Sequence, residues 1–326
     1  MKITMAHGSG GKSSAQLMGD VFGKHFKNSI LDKMEDAAVL SVEGRIACST
    51  DSFVVTPLIF NGGDIGKLCI CGTVNDLLMM GAVPRYITCG FILEEGLELD
   101  TLERIVISMA KQAKEAGVTI VAGDTKVVEG QGGLYVNTTG IGLIPEGRNV
   151  SSGRCRPGDA VILSGNLGDH HACILSHRMA IENDIKSDCA ALNDIVDNLF
   201  EEGVDVRAMR DVTRGGLGTV LNEIADSSKC MIELNEGAIP VDDEVRGFAD
   251  ILGLDPLYMG NEGKMIAVVC GDDAESALAA MRKTEHGKNA AIIGYVNEGS
   301  GAYIKTRLGA TRRLDMLYGE GLPRIC

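Results

Sequence analysis

The 326-residue chain is 45% apolar and 23% charged, and it carries a formal net charge of −14. This charge argues against binding to a phosphate backbone or an anionic membrane, since both need a basic surface. The first residues lack the apolar core of a signal peptide, and no stretch reaches the roughly 18 apolar residues of a membrane span. We therefore expect a two-domain cytoplasmic protein whose partners are small molecules, cations or proteins, with no nucleic acid and no membrane.

Apolar runs rich in β-branched residues alternate with helical patterns along the chain, which predicts an α/β fold. Predicted strands cover residues 37–42, 46–50, 85–93, 119–122, 134–144, 160–164, 231–234, 265–270 and 291–296. Predicted helices cover residues 13–26, 65–80, 100–116, 188–202, 216–227 and 274–285. The clearest helix should have Asp100 as its N-cap, with Glu103 completing a capping box, and should stop at Gly117.

The stretch 145–159 has few apolar residues and several turn formers, and it separates two halves of similar size. We therefore predict an N-terminal domain (1–150), a C-terminal domain (151–306) and a mobile tail (307–326). The tail ends in Cys326. Because chain ends are usually mobile, this thiol could enter and leave several active sites as a carried substrate, or it could simply belong to a disordered end.

Acidic residues recur at the ends of predicted strands or in turns rich in glycine and asparagine. They are Glu35, Asp36, Asp51, Asp76, Asp124, Asp211 and Glu262. Carboxylates at strand ends point into the cleft where α/β proteins bind ligands, and together they would repel unless a divalent cation joined them. Mg²⁺ prefers such oxygen ligands and often bridges to nucleotide phosphates. Each Asp alone could instead cap a turn, but the whole set favours a metal and phosphate site.

A glycine-rich segment near the N-terminus is a second candidate for phosphate binding. The backbone amides of Gly10 and Gly11 can approach a phosphate, which Lys12 can neutralise. The segment is not a P-loop, because Ala6 stands where the first glycine is required and no strand precedes it. It predicts either a flexible phosphate lid or a disordered N-terminus.

Two further segments could contact phosphate. Thr213, Gly215 and Gly216 open a predicted helix, whose N-terminal amides and dipole attract anions. Lys67 follows a glycine-rich turn at the start of the helix that carries Asn75 and Asp76. Lys67 could meet a phosphate there or remain a solvated surface lysine.

The motif series resembles that of the aminoimidazole ribonucleotide (AIR) synthetase-like, or PurM-like, ATP-using superfamily, which includes selenophosphate synthetase and thiamine-monophosphate kinase. The matching segments are Glu35-Asp36-Ala37-Ala38-Val39, Thr50-Asp51-Ser52, Asn75-Asp76, Gly123-Asp124-Thr125, Asp211-Val212-Thr213-Arg214-Gly215-Gly216-Leu217 and Asn261-Glu262-Gly263. The segments His7–Lys12 and Pro323–Cys326 narrow the resemblance to the HypE family of nickel–iron hydrogenase maturation proteins, over the whole chain. Glu35 replaces the first Asp that is usual in its motif, so Asp36 is the better-supported metal ligand of the two.

The resemblance implies a two-domain fold whose N-terminal sheet domain forms a homodimer interface, with ATP and Mg²⁺ as cofactors. It assigns Asp36, Asp51, Asp76 and Asp211 to the metal. It places Lys12, Gly10, Gly11, Lys67, Asn75, Asp124, Thr125, Thr213, Gly215 and Gly216 around the nucleotide. It gives catalytic roles to Cys326, Glu262, Lys126 and Asp76, with Cys326 as the carrier of the substrate and Glu262 as the favoured base.

The resemblance also implies an activity and partners. The carbamoyltransferase HypF would place a carbamoyl group on the Cys326 thiol, and ATP would drive its dehydration to a thiocyanate. Cyanide would then pass to iron on the HypC–HypD scaffold. One alternative is another ATP-dependent phosphotransferase that acts on a free small molecule. A second is a non-catalytic metallochaperone using Cys326 with Cys69 and Cys71, the only close cysteine pair among ten cysteines.

Overall fold

The structure, a computed structural model, describes residues 2–8, 12–33 and 37–316. The helices are α1 (Lys12–Leu17), α2 (Ile65–Met79), α3 (Leu99–Glu115), α4 (Asp169–Arg178), α5 (Asn193–Glu201), α6 (Gly216–Ser228), α7 (Asp243–Leu252) and α8 (Ala274–Arg282). The strands are β1 (Arg45–Phe53), β2 (Ile59–Phe60), β3 (Gly63–Asp64), β4 (Val83–Glu94), β5 (Thr119–Val128), β6 (Leu134–Ile144), β7 (Ala160–Leu163), β8 (Val206–Asp211), β9 (Met231–Asn235), β10 (Met265–Val269), β11 (Ala291–Asn297), β12 (Gly301–Lys305) and β13 (Thr311–Leu314). None of the described helices is long and apolar enough to cross a membrane.

Strands β1, β6, β4 and β5 form a four-stranded sheet in that order. Helix α2 packs against β1 and β6, and α3 packs against α2 and β5, so one face of the sheet is covered. Side chains on the opposite face are exposed or half-buried, among them Ile46 and Ile92 at 52% and 46%. Because β1 and β5 are the two edges, residues on them lie on opposite sides of this half of the molecule.

The second half is built on a seven-stranded sheet with the order β13-β12-β9-β11-β7-β10-β8. Strand β7 is buried along its whole length, as is β10 beside it. The predicted mobile tail from residue 307 is wrong for residues 311–314, because these form β13 and pair antiparallel with β12. The apolar Leu314 is fully buried there, which explains why this part of the chain is ordered.

Three other local predictions are wrong. Residues 37–42 are not a strand: Val39 is 83% exposed, and the segment joins no ladder of the described chain, which a strand needs for its backbone groups. Helix α3 begins at Leu99 without a side-chain cap, and Glu103 accepts a hydrogen bond from Lys24 instead of closing a capping box. The helix predicted from residue 188 begins at Asn193.

The late start of α5 has a clear cause in the side chain of Asp188. Its carboxylate accepts hydrogen bonds from the backbone amides of Glu262 and Gly263, at 3.1 and 3.3 Å. It also forms an ion pair with Lys264 at 3.3 Å, in which the two side chains are only 2% and 11% exposed. These contacts hold residues 188–192 in a loop between the two halves.

Candidate functional site

Three predicted aspartates from both halves of the molecule lie close together. Asp51 is on β1, Asp76 is near the C-terminal end of α2, and Asp211 is the last residue of β8. Burial, followed by the charge of Asp76, raises the pKa of Asp51 to about 6, and the same two causes raise that of Asp211 to about 6. The Ser49 hydroxyl donates a hydrogen bond to Asp76. The charge of Asp76 therefore disfavours the ionised forms of Asp51 and Asp211, an effect that a bound cation would relieve.

The start of α6 lies beside these carboxylates, as the sequence predicts. A hydrogen bond from the Thr213 side chain to Asp211 partly offsets the rise in the Asp211 pKa. Gly215 and Gly216 have φ of +83° and +63°, a conformation that glycine adopts readily. A Cβ on Gly216 would lie 2.6 Å from the backbone of Tyr258, so this position needs glycine for space as well.

Arg214 is a site residue that the sequence reasoning missed. Its charge acts to lower the pKa of Asp51, against the stronger effect of burial, so its guanidinium lies near that carboxylate. The sequence does offer one indication of this role, because Arg214 lies between Thr213 and Gly215, which were predicted to contact phosphate. A cation at this point can contact an anionic group bound between the aspartates and the start of α6.

The loop that carries Glu262 is held against the residue that follows Asp211. The Asn261 amide and side chain both donate hydrogen bonds to the Val212 carbonyl, at 3.0 and 2.9 Å. Glu262 itself is only 7% exposed. Sequence reasoning missed the ion pair of Asp188 and Lys264, which fixes the other side of this loop. The structure thus holds the backbone of the Glu262 loop against the residue that follows Asp211, and the charge of Glu262 acts on the buried Cys189.

Asp124, Thr125 and Lys126 are not brought to this cluster within one chain. They lie on β5, three strands from β1, and register pairs Asp124 with Gly90, which in turn pairs with Asn137. Strand β5 is therefore about 14 Å from β1 across the sheet. Asp124 and Lys126 are 70% and 67% exposed and form an ion pair at 2.9 Å. A hydrogen bond from Lys126 lowers the pKa of Asp124.

Lys67 is also distant from the aspartates. It precedes Asp76 by nine residues on α2, a rise of about 13 Å along the helix axis. Its Nζ donates to the Gly62 carbonyl at 3.3 Å.

Asn75, which the sequence predicts to contact nucleotide, has a side chain that joins the two halves. Its side-chain amide donates to the Ala190 carbonyl, and its carbonyl accepts from the Leu192 amide, both at 3.0 Å. At 2% exposure, it is held away from solvent by these contacts.

Replacing Asn75 by Ala should destabilise the fold by about 2–4 kcal/mol, because the backbone groups of Ala190 and Leu192 lose a buried partner. Urea unfolding followed by far-UV circular dichroism measures the change. The exposed Asn289→Ala is the control and should cost less than about 0.5 kcal/mol. Equal effects of the two substitutions would contradict the structural role of Asn75.

Several predicted residues lie outside the described part of the chain. They are Gly10, Gly11, Asp36, Cys326 and the side chain of Lys12. Within residues 2–8, 12–33 and 37–316, no group of three or more His, Cys, Asp or Glu side chains forms a ready-made metal site. The four-aspartate metal site therefore stays a prediction, of which the structure brings three members together.

An apolar cavity of about 250 Å³ opens between the N-terminal helical segment and the sheet. Phe22, Phe26 and Phe91 line it, and Asp124 and Thr125 are also part of its wall. Such a cavity can take a flat apolar ring and leave polar substituents at its mouth.

Comparison with known proteins finds relatives that match this chain over its whole length. Residues 34–144 match the N-terminal domain of AIR synthase related proteins, and residues 156–306 match their C-terminal domain. The carbamoyl dehydratase HypE of Rhodobacter capsulatus is 48% identical over 335 residues, covering 100% of this chain and 98% of the relative.

Solved structures agree with this result. A crystal structure of the hydrogenase maturation protein HypE in complex with ATP is 49% identical, covers 99% of both chains and has a TM-score of 0.95. The HypE chain of a HypE–HypF complex is 46% identical with a TM-score of 0.82, covering 92% of this chain and 99% of that one. The resemblance and the two-domain PurM-like fold predicted from the sequence are confirmed. The chain belongs to the HypE family of carbamoyl dehydratases, a branch of the AIR synthase related proteins.

Proposed function

We propose that this protein uses ATP to dehydrate the S-carboxamide on its own Cys326 to a thiocyanate, which supplies cyanide to the iron of nickel–iron hydrogenase. The observation that carries the proposal is the convergence of Asp51, Asp76 and Asp211 from two separate halves, beside the start of α6. A relative at 49% identity is seen with ATP. Carboxylates and helix amides together suit a metal–phosphate group better than either would alone.

The donor set fits Mg²⁺. Asp51, Asp76 and Asp211 supply hard oxygen ligands, and the pKa values of about 6 for Asp51 and Asp211 reflect burial and repulsion that a cation would relieve. Asp36 would complete the set. Bound Mg²⁺ would neutralise phosphate charge during transfer. The apolar cavity beside Thr125 lies at the opposite edge of the sheet from Asp51, so we propose that the cavity of one copy takes the adenine ring of a nucleotide held by the aspartates of a second copy.

The reaction balances without any oxidant or reductant. The amide oxygen attacks the γ-phosphorus of ATP, ADP leaves, and one N–H proton is lost, which gives a phosphorylated imidate on sulfur. Loss of the second nitrogen proton then expels phosphate and forms the C≡N bond. The amide oxygen leaves in phosphate, so a poor leaving group becomes a good one. A base near the nitrogen is needed, and our candidate is Glu262, which is buried and follows the Asn261 that binds the Val212 carbonyl.

Lys126 and Asp124 require a second chain to reach the same site. They lie on the open face of the four-stranded sheet, which also exposes the apolar side chains of Ile46, Ile92 and Val128. We propose that two copies cover this face in a homodimer, so that β5 of one copy approaches the aspartates of its partner. Burial of such a patch is the usual reason for a large exposed apolar area.

The proposed partners are the proteins that would supply the carbamoyl group and accept the cyanide. HypF, which is seen bound to a relative, would load the thiol, and a HypC–HypD scaffold would accept cyanide. Because these proposed steps need a reduced thiol, we propose that the protein acts in the cytoplasm, where thiols stay reduced.

Intact mass spectrometry of the C-terminal peptide tests the proposal. After carbamoylation of Cys326, addition of Mg-ATP should remove the mass of one water from this peptide, and addition of ADP should not. An unchanged mass with Mg-ATP would refute the dehydration.

The two rival functions give different results. A phosphotransferase acting on a free molecule keeps its ATP turnover after Cys326→Ser, whereas the dehydratase loses its productive reaction and still binds nucleotide. A metallochaperone binds a soft metal through Cys69 and Cys71. Both thiols are fully buried, and burial raises the Cys69 pKa well above its usual range, which disfavours the thiolate that a soft metal needs.

A further inference from the structure

Both backbone polar groups of Glu262 are bound by residues 188–192, which we call the bridging loop. The Asp188 carboxylate accepts hydrogen bonds from the amides of Glu262 and Gly263, and the Ala190 amide donates to the Glu262 carbonyl at 3.4 Å. A Cβ on Gly263 would lie 1.9 Å from the Asp188 carbonyl oxygen, so the two backbones touch at a point where only glycine fits. The place of Glu262 therefore depends directly on the bridging loop.

The bridging loop is also bound to the other half of the molecule, through helix α2. Asn75 donates to the Ala190 carbonyl and accepts from the Leu192 amide, and it directly precedes Asp76 of the aspartate cluster. Ala190 thus makes one contact of each kind, since its amide binds Glu262 and its carbonyl binds Asn75. A single residue therefore connects the backbone of the proposed base to the helix that carries Asp76.

The Asp188 carboxylate is well suited to hold the Glu262 loop. It is buried against Lys264, and a charged acceptor makes stronger hydrogen bonds to amides than a neutral one. The opposite side of the loop is bound by Val212, whose carbonyl accepts from Asn261 and whose amide donates to the Lys264 carbonyl at 2.9 Å. Each of the four successive residues 261–264 is therefore bound through its backbone, and Glu262 lies within this run.

We propose that Asp188 is a positioning residue for the base: through its hydrogen bonds to the Glu262 and Gly263 amides, it sets where the Glu262 carboxylate lies relative to the aspartate cluster. This inference rests on the proposed function. Proton removal depends steeply on geometry, because a misplacement of about 1 Å can slow an enzymatic step by about 10²-fold. Asp188 therefore acts on the rate of the chemical step through Glu262, and not through the binding of nucleotide.

The test changes Asp188 in two ways. Asp188→Asn removes the charge and one of the two acceptor oxygens, whereas Asp188→Glu keeps the charge opposite Lys264 but displaces the carboxylate by one methylene. Asp159→Asn is the matched control, because the Asp159 side chain is 5% exposed, pairs with Arg207 at 3.4 Å and accepts from a backbone amide. Asp159 directly precedes β7, whose first residue pairs with the last residue of β10, at the end of β10 opposite to Lys264.

Each change is made in the wild-type chain and in Glu262→Gln, and dehydration of carbamoylated Cys326 is followed in a single turnover with Mg-ATP. In the wild-type chain, both Asp188 variants should slow dehydration by about 10- to 100-fold, with ATP affinity within about twofold of wild type. In Glu262→Gln they should slow it no further, because a residue that acts through the base has no effect once the base is absent. Asp159→Asn should change neither rate.

Amide hydrogen exchange adds a measurement that needs no catalysis. The amides of Glu262 and Gly263 should exchange at least about tenfold faster in Asp188→Asn than in wild type, and Asp159→Asn should leave them unchanged.

Three results would overturn the positioning role alone: equal slowing by the Asp188 variants with and without Glu262, faster exchange with an unchanged rate, or unfolding of both variants in circular dichroism. If the wild-type protein does not dehydrate its own carbamoylated Cys326, the proposed function fails first and the role of Asp188 with it.

Discussion

Replacing Glu262 by Gln is expected to slow ATP-dependent dehydration of carbamoylated Cys326 by about 10²- to 10⁴-fold, the usual contribution of a positioned general base. Gln keeps the size of the side chain and its capacity to accept hydrogen bonds, so the loop held by Asn261 should remain in place. ATP affinity, measured by titration calorimetry, should be unchanged. Single-turnover mass spectrometry of the C-terminal peptide measures the chemical step.

The control for Glu262→Gln is Glu298→Gln, an exposed glutamate in the turn between β11 and β12. This change should leave the rate within about twofold. If Glu262→Gln retains the wild-type rate, the base must be another group, with Lys126 of a partner copy as the next candidate. If it loses ATP binding as well, Glu262 serves the nucleotide site rather than proton removal.

Asp211→Asn should stabilise the metal-free protein at pH 8 and weaken Mg-ATP binding. Burial and the charge of Asp76 raise the pKa of Asp211 to about 6, so above this pH the folded protein carries a carboxylate that it disfavours. A rise of the Asp211 pKa from 3.8 to about 6 corresponds to about 3 kcal/mol. Because the side chain keeps partial contact with solvent, we expect Asp211→Asn to raise the free energy of unfolding by about 1–2 kcal/mol.

The pH dependence of this effect has a definite sign. A raised pKa means that the folded state binds a proton more tightly than the unfolded state, so the stabilisation is present at low pH and is lost as the pH rises through 6. The advantage of Asn should therefore be small near pH 4 and complete by pH 7. Urea unfolding without Mg²⁺ at several pH values measures it, with the exposed Asp272→Asn as control.

Addition of Mg-ATP should remove most or all of the stability advantage of the variant. Wild-type protein should gain stability from the ligand, whereas Asp211→Asn should bind it at least about tenfold more weakly, a loss of about 1.4 kcal/mol. If the variant binds Mg-ATP as well as wild type, Asp211 is not a metal ligand. The result would then point to a purely electrostatic role.

Much of the fold could be predicted because periodicity is a local property. Strand β6 was predicted with its observed bounds, and the buried face of α3, formed by Leu102, Ile105, Val106, Met109 and Ala113, follows directly from the helical spacing. The short segment 37–42 reads as a strand, but forming one also requires a partner, which the local pattern does not report. Strand β8 and helix α4 escaped prediction because their apolar residues follow neither simple period.

The candidate site could be predicted only in part, for a spatial reason. Asp51 and Asp211 were predicted because carboxylates near strand ends converge in this class of fold, and Asp76, on helix α2, was predicted from the family motif. Asp124 shows the same local signal, yet β5 is the far edge of its sheet and places it elsewhere. Asp188 and Lys264 carried no signal of their own, since their roles depend on neighbours distant in the sequence.

The strand order of the second sheet has a consequence for biosynthesis. Strand β7 lies between β10 and β11, which are translated more than a hundred residues later. The first sheet uses only contiguous sequence and can form while the ribosome is still elongating the chain. The second cannot close until nearly the whole polypeptide has emerged, so Asp211 joins Asp51 and Asp76 last. A chain terminated before β10 would therefore lack the partner strand of β8, which carries Asp211, and under the proposed function it would not consume ATP.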